Sequence, residues 1–303
     1  MSLVSAADLR ADDAAGRDAL GRYTLSLVRS AEDPDFEIAY GLLDGEFGAK
    51  GELETRAAIE GYLRADPTHA SAGQAGYWLV LARDERGEVA GVRDCHASVD
   101  SEGRFVVVFL SHVLVMPAFR GSGLGSVMRA VPASLGRAAA EGARMERPEI
   151  MLAAEMEPAV LGAADTLVRL IAYGRGGFSI IDPRALPYCQ PDYREHRAID
   201  LDRARPVPLL AVVRRLGRED EATIPKAMAA AFVEHLYRIV GSHCRASDLA
   251  APRAHTLAAL ARTPGETVPL LRAPRTLDDR DAIDPLSRDV VLPYYPPSLI
   301  GPA

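Results

Sequence analysis

The sequence predicts a mixed α/β fold (α+β type) with a mostly antiparallel central sheet flanked by helices, followed by a helical C-terminal extension. Three observations carry this. Residues 77–83 (YWLVLAR), the turn Asp84-Glu85-Arg86-Gly87 and residues 88–99 form a hairpin pattern. A long β-branched run, residues 104–116 (RFVVVFLSHVLVM), comes next. After Pro117 the apolar period lengthens, and helix-like and strand-like segments alternate. Hairpin strands followed by strand–helix–strand units imply one mixed sheet with helices packed on it.

The elements follow in chain order. Residues 5–20 read as a short polar helix with Ser5 at the N-cap and Asp8 in its first turn. Residues 22–29 (RYTLSLVR) alternate like a half-buried strand, and residues 35–47 and 52–64 read as helices separated by Gly48 and Gly51. A Gly-rich loop, residues 119–126 (FRGSGLGS), leads into a helix over 126–140, which Pro132 should kink or tighten. Residues 149–154 (EIMLAA) form a buried strand, residues 162–173 a helix stopped by Gly176-Gly177, and residues 178–181 and 207–214 two further strands. Beyond Arg218, the residues Ile224, Met228, Phe232, Leu236 and Ile239 fall at helical spacing, a core or docking stripe. The Pro-rich end, VLPYYPPSLIGPA, reads as extended chain on the surface. No internal repeat is evident. The organisation is therefore an N-terminal helical segment (1–21), a main domain (22–217) and a helical, Pro-rich extension (218–303).

Composition narrows the function. The chain has 303 residues and a net charge of −7, which argues against a nucleic-acid partner, since phosphate neutralisation needs a cationic face. Lysine occurs only at Lys50 and Lys226, all other basic residues are Arg, and Asn is absent; a high-GC genome is the reading preferred over hyperthermophilic adaptation, whose signal is Lys and Glu enrichment. Cys95, Cys189 and Cys244 are far apart and include no CxxC, as expected for reduced thiols in a reducing compartment. No apolar run approaches the roughly 20 residues of a membrane span, and the N-terminus lacks a basic-then-apolar leader pattern, so no membrane association and a cytoplasmic location are expected. Cys95-His96 and His243-Cys244 lack zinc-site spacing, so no metal is expected.

The chemically richest segment is residues 113–128 (VLVMPAFRGSGLGSVM), where a strand ends, glycines recur at 121, 123 and 125, and a helix begins. Closely spaced glycines let backbone N–H groups converge, and a helix N-terminus adds partial positive charge, a combination that holds phosphate or pyrophosphate. Arg120 adds a fixed cation. The alternative is a tight turn in which glycine merely permits the backbone. The loop is GxGxG rather than GxGxxG, and it lacks the Gly-Lys-Ser/Thr of a P-loop.

Val115-Met116-Pro117-Ala118-Phe119-Arg120-Gly121-Ser122-Gly123-Leu124-Gly125 resembles motif A of the GNAT-fold N-acetyltransferases, Val-x-Pro-x-x-Arg-Gly-x-Gly-x-Gly. Tyr173-Gly174-Arg175-Gly176-Gly177-Phe178 is similar to the Tyr-x-x-x-Gly-Phe that often ends the family's fourth helix. The resemblance covers roughly residues 22–217, and its strand and helix order is the one read above. It implies an acyl-CoA-dependent N-acyltransferase that passes acetyl from acetyl-CoA to a primary amine by direct attack in a ternary complex. The acceptor would be a small molecule or a protein amine. A non-catalytic acyl-CoA-binding regulatory module is the alternative.

The resemblance also assigns roles. Backbone N–H groups of Arg120, Gly121, Ser122, Gly123, Leu124 and Gly125, with Ser126 at the helix start, would hold the acetyl-CoA pyrophosphate. Backbone groups of Val113, Leu114 and Val115 would pair with the pantetheine arm, and one N–H there would polarise the thioester carbonyl. Tyr173 matches the tyrosine that protonates the departing thiolate. Thr166 stands where many members carry Asn, which puts that pantetheine contact in doubt. Glu155, after the fifth strand of the family fold, is the base candidate, against a solvent-facing carboxylate.

His112 is the alternative base, since an unperturbed histidine titrates near neutrality, but a bulge in its strand would make its facing unreadable, and a satisfied core or surface histidine is the competing reading. Phe36, Glu37, Tyr40, Trp78 and His96 are candidates for the acceptor wall, with residues 188–191 on the other side. The C-terminal extension would serve as a lid or as the contact of a homodimer.

Overall fold

The computed structural model describes residues 3–297 except 51, 65–74, 101, 161–163, 193, 195 and 242–243. The chain forms two compact units, Met1–Leu152 and Ala153–Ala303, and is a mixed α/β protein with mostly antiparallel strands flanked by helices.

The first unit begins with a single 3-10 turn, Ala6–Asp8, held by reciprocal bonds between Ser5 and Asp8. The Ser5 cap read from the sequence therefore caps one turn rather than a helix over 5–20. A second short helix, α1 (Ala14–Ala19), starts where Asp13 accepts from the Gly16 N–H at 2.9 Å. Strand β1 (Tyr23–Val28), helices α2 (Phe36–Phe47) and α3 (Arg56–Leu63), and the hairpin β2 (Ala75–Asp84) and β3 (Val89–Val99) follow the sequence reading closely.

The long β-branched run is not one strand. It divides into β4 (Phe105–Phe109) and β5 (Val113–Val115), both antiparallel to β3. Phe109 faces His96 whereas Val113 faces Arg93, so four steps along one strand match three along the other. The extra residue is a β-bulge at 110–112, and it reverses the facing of every side chain beyond it. The unit's strands run β1-β2-β3-β4, with β5 also on β3.

The two faces of this sheet are covered differently. Phe36, Ala39 and Leu43 of α2 and Ile59 of α3 pack with Tyr77, Leu79, Leu81 and Val92 in one fully buried cluster. Each large apolar side chain there contributes about 1.5–3 kcal/mol. On the other face lies α4 (Leu124–Gly142), which continues through Pro132. Its approach is close at Gly136, where a Cβ would lie 2.6 Å from Ile150 and 3.0 Å from Val108. Strand β6 (Glu149–Met156) spans the boundary between the units.

The second unit contains α5 (Ala164–Arg175), β7 (Ser179–Ile181), β8 (Cys189–Gln190), α6 (His196–Asp202), β9 (Val207–Pro208), β10 (Leu210–Arg215), β11 (Thr223–Pro225), α7 (Lys226–Val240), α8 (Ala246–Arg262), β12 (Thr267–Arg272) and two single-turn helices, α9 (Arg280–Ile283) and α10 (Arg288–Val291). Its strands run β10-β7-β12-β11, all antiparallel. Residues beyond Arg218 thus supply two strands of this sheet. Met228, Phe232 and Leu236 of α7 are wholly buried, as their spacing requires of a core stripe, although Ile224 belongs to β11. Tyr295, in the Pro-rich end read as surface chain, is buried and donates to the Leu209 carbonyl at 3.0 Å. Residues 298–303 of that end lie outside the described residues.

Candidate active site

In the first unit the Gly-rich segment sits between β5 and α4. A 3-10 turn, Pro117–Phe119, carries the chain to Arg120, and Gly121 and Gly123 then adopt left-handed φ of +79° and +87°. Gly123 is the N-cap of α4, with Leu124, Gly125 and Ser126 in its first turn. The Gly121, Gly123 and Gly125 N–H groups have no acceptor among the described residues. An α-helix leaves such donors at its N-terminus, where its dipole is positive. Ser122 is already committed: its hydroxyl accepts from Tyr23 at 2.7 Å and donates to the Phe119 carbonyl at 2.6 Å. The Arg120 guanidinium approaches the Val115 carbonyl at 3.4 Å.

The glycines differ in what surrounds them. A Cβ at Gly123 would lie 2.3 Å from the Ala15 carbonyl and 2.8 Å from Ala19, so α1 is seated directly on this residue. Gly121 has open space around its Cβ position, and a Cβ at Gly125 would meet only the end of Arg129, at 3.5 Å.

Strand β5 pairs with β3 alone among the described strands. Met116 N–H donates to Ala90 and Asp94 N–H to His112, so the bonded residues on this strand are 112, 114 and 116. Antiparallel alternation turns the Leu114 backbone groups toward β3 and those of Val113 and Val115 away from it. Gly91 makes the approach possible, since a Cβ there would lie 2.6 Å from the Leu114 carbonyl oxygen.

The bulge also brings together a cluster that sequence reasoning found only in part. With the extra residue, His112 comes opposite Asp94, and its Nδ1 lies 3.0 Å from Asp94 Oδ1. The His112 N–H donates to the same oxygen at 2.7 Å, and the Tyr77 hydroxyl donates to Oδ2 at 3.0 Å. His112 Nε2 lies 2.8 Å from the Glu52 carbonyl. Both ring nitrogens therefore face acceptors, which only the doubly protonated imidazolium satisfies. Glu54 completes the group: its carboxylate, that of Asp94 and the His112 ring lie within 4.8 Å of one another. Its Oε2 is shielded from solvent and has no hydrogen-bond partner among the described residues.

Charge follows geometry. Burial pulls the His112 ring toward neutrality, but the Asp94 charge, its hydrogen bond and Glu54 outweigh burial and raise the imidazole to about 9. Burial raises Asp94, yet His112 brings the net shift below the usual carboxylate range. Burial and the Asp94 charge push Glu54 upward, with His112 opposing them. Phe47 stacks at a tilt on His112, 4.8 Å between centroids, and Tyr62 lies 5.3 Å from Tyr77. Neither Asp94 nor Glu54 carries a sequence signal by itself. Of the three, His112 alone is a sequence candidate, and the run around it reads as one unbroken strand.

The other sequence candidates divide. His96 packs against Tyr62 and Tyr77 on the Asp94 side, whereas Trp78 pairs with Cys95 and belongs to the opposite face of β2. Phe36 is core, Tyr40 stacks on it, and Glu37 is held by Arg56 at the surface. In the second unit, Tyr173 is half-buried at the end of α5, edge-on to Phe178 at 5.1 Å. Gly177, at φ +81°, ends the helix beside it, and Gly174 lies so near Pro274 that a Cβ would meet its carbonyl oxygen at 2.1 Å. The Thr166 hydroxyl accepts from the Val160 N–H at 3.4 Å, near the start of α5. Glu155 is held on both oxygens, accepting from the Tyr188 hydroxyl and from Gln190 at 3.0 Å.

No family model and no curated protein matches the chain. Among solved structures it is similar to the spermidine N-acetyltransferase of Vibrio cholerae in complex with CoA and spermine, at 12% identity over 66% of this chain and 99% of that one, with a TM-score of 0.37. It is also similar to a tandem GNAT protein from the clavulanic acid biosynthesis pathway, at 19% identity over 56% and 46% of the two chains, TM-score 0.34. A glucosamine N-acetyltransferase region of a fungal multi-domain β-N-acetylglucosaminidase matches at 18% identity over 54% of this chain and 19% of that one, TM-score 0.34. These scores mark partial correspondence only.

Proposed function

We propose that the chain is an acyl-CoA-dependent N-acyltransferase that moves acetyl from acetyl-CoA to a primary amine by direct attack in a ternary complex. One observation carries this: three N–H groups without acceptors among the described residues, at Gly121, Gly123 and Gly125, lie at the start of a 19-residue helix, directly after a strand with an outward edge at Val113 and Val115. Converging donors at a helix N-terminus suit a pyrophosphate. The outward strand edge suits the amide groups of pantetheine, which would add to it as a strand would, with Arg120 already lying at the Val115 carbonyl. With Arg120 beside it, the loop has the charge and the backbone access the donor requires.

In this reading an N–H at 113 or 115 stabilises the oxyanion as the amine adds to the thioester carbonyl, and collapse of the adduct expels the CoA thiolate. Tyr173 donates the proton to that sulfur, supported by its match to the family tyrosine and by the Gly177 turn that holds its helix end. Thr166 offers a hydroxyl to the pantetheine in place of the usual Asn. Glu155, with both oxygens engaged, is better suited to holding Tyr188 and Gln190 in place than to accepting a proton. Isothermal titration with CoA, followed by CoA-thiol release from acetyl-CoA over a panel of amines, tests the proposal. Acceptor-dependent release supports the enzyme; CoA binding without release supports a regulatory acyl-CoA-binding module; no CoA binding refutes both.

A further inference from the structure

We propose that Glu54 binds the acceptor as a primary alkylammonium ion and removes its proton, with His112 and Asp94 as positioning residues. This rests on the acyltransferase reading above. Three groups in the cluster could in principle take a proton, and hydrogen bonding excludes two. His112 directs both ring nitrogens at acceptors, Asp94 on one side and the Glu52 carbonyl on the other, and so already carries both protons. Asp94 is wholly buried and accepts from the Tyr77 hydroxyl, the His112 N–H and the His112 ring. Of the three, Glu54 has capacity left, because its buried Oε2 has no partner among the described residues.

An ionised carboxylate in that position is costly until a cation or donor reaches it. The cluster already holds one negative and one positive charge in Asp94 and His112, so an arriving ammonium is the group that balances Glu54. Phe47 and Tyr62 provide aromatic surface for the carbon chain behind the nitrogen. His112 precedes Val113 directly, which sets the cluster next to the strand edge assigned to the acyl donor.

The step balances. The ammonium gives one proton to Glu54, and the freed lone pair attacks the thioester carbon. The C–N bond forms, the C–S bond breaks, and the second proton passes from nitrogen to the CoA thiolate. Glu54 then returns its proton to water, so each turnover releases one proton. The groups facing Glu54 are Asp94 from β3, Tyr77 from β2 and His112 from the bulge; burial and the Asp94 charge raise its affinity for a proton, with His112 opposing them.

The test is Glu54→Gln in the full chain, assayed by CoA-thiol release with benzylamine, an ammonium at neutral pH, and 4-methoxyaniline, which is already neutral. Benzylamine turnover at neutral pH should fall by about 10²–10⁴-fold and recover as the pH rises, while the arylamine reaction changes only a few-fold. CoA affinity by calorimetry should be unchanged, and Glu54→Asp should restore part of the benzylamine rate. An unaltered benzylamine pH profile in Glu54→Gln overturns the inference alone, as does a wild-type enzyme that acetylates arylamines but no alkylamine. A wild-type chain that binds no CoA overturns the parent reading and this one with it.

Discussion

Alanine at Gly123 and at Gly125 should separate folding from binding within one loop. At Gly123 the backbone is left-handed, which costs an L-residue roughly 1–2 kcal/mol. The new Cβ would also lie 2.3 Å from Ala15 O, so α1 must move, at about 1–3 kcal/mol for an overpacked contact. Gly123→Ala should therefore lose about 2–5 kcal/mol of stability, and a domain of this size loses about 2–4 °C in Tm per kcal/mol. Gly125 is the reverse case. It lies in the first turn of α4 with only the Arg129 terminus within 4 Å, so alanine there is neutral or gains up to about 1 kcal/mol. Its N–H survives, but the methyl stands where a phosphate oxygen must approach. Loss of one hydrogen bond to a charged group costs about 1.5–3 kcal/mol, or roughly 10- to 150-fold in Kd. Thermal denaturation and CoA calorimetry on both variants read the two effects separately. Gly125→Ala with a preserved Tm and wild-type CoA affinity would refute the assignment of this loop to the pyrophosphate.

Further outcomes follow from the same structure. Tyr173→Phe should lower turnover by about 10²–10⁴-fold with CoA affinity little changed; weaker CoA binding at unchanged saturating turnover would instead make Tyr173 a packing residue. Asp94→Asn leaves His112 buried without its counter-charge and should cost about 3–5 kcal/mol in denaturant unfolding. His112 holds its proton more tightly folded than unfolded, so its contribution is full below about pH 6.5 and is lost as the pH rises through about 9. Glu54, also raised, acts in the same direction, and a wild-type stability profile that stays flat or rises across that window would contradict the cluster geometry. Truncation after Arg218 removes β11 and β12 and the buried face of α7, so the product should be insoluble or unfolded rather than a smaller soluble enzyme. Cys95 and Cys189 are wholly buried with thiols pushed up to about 12, so a thiol reagent should reach neither before denaturation.

Much of the scaffold was legible locally. The hairpin of β2 and β3, the pair α2 and α3, the loop entering α4 and the end of α5 at its glycines are written in short-range signals: alternation, turn residues and positive-φ glycines. The candidate donor loop belongs to this class because a phosphate cradle made of backbone needs only closely spaced glycines and a helix start. The α7 stripe was legible as a buried face, though not as a neighbour of an added strand, since strand pairing between residues 181 and 270 has no local signature.

Tertiary structure decided the rest. From the sequence, Gly123 reads as a surface-loop glycine; only the packing of α1 makes it a position that cannot take a side chain. Residues 104–116 read as one strand, because a bulge is set by register against β3 rather than by the residues it displaces. That single extra residue turns His112 toward Asp94 and brings it within reach of Glu54, from a loop some forty residues upstream of Asp94. Backbone-built recognition is periodic and local, and the sequence determined it. A buried charge cluster depends on which side chains three separate segments bring together, and that is a property of the folded chain alone.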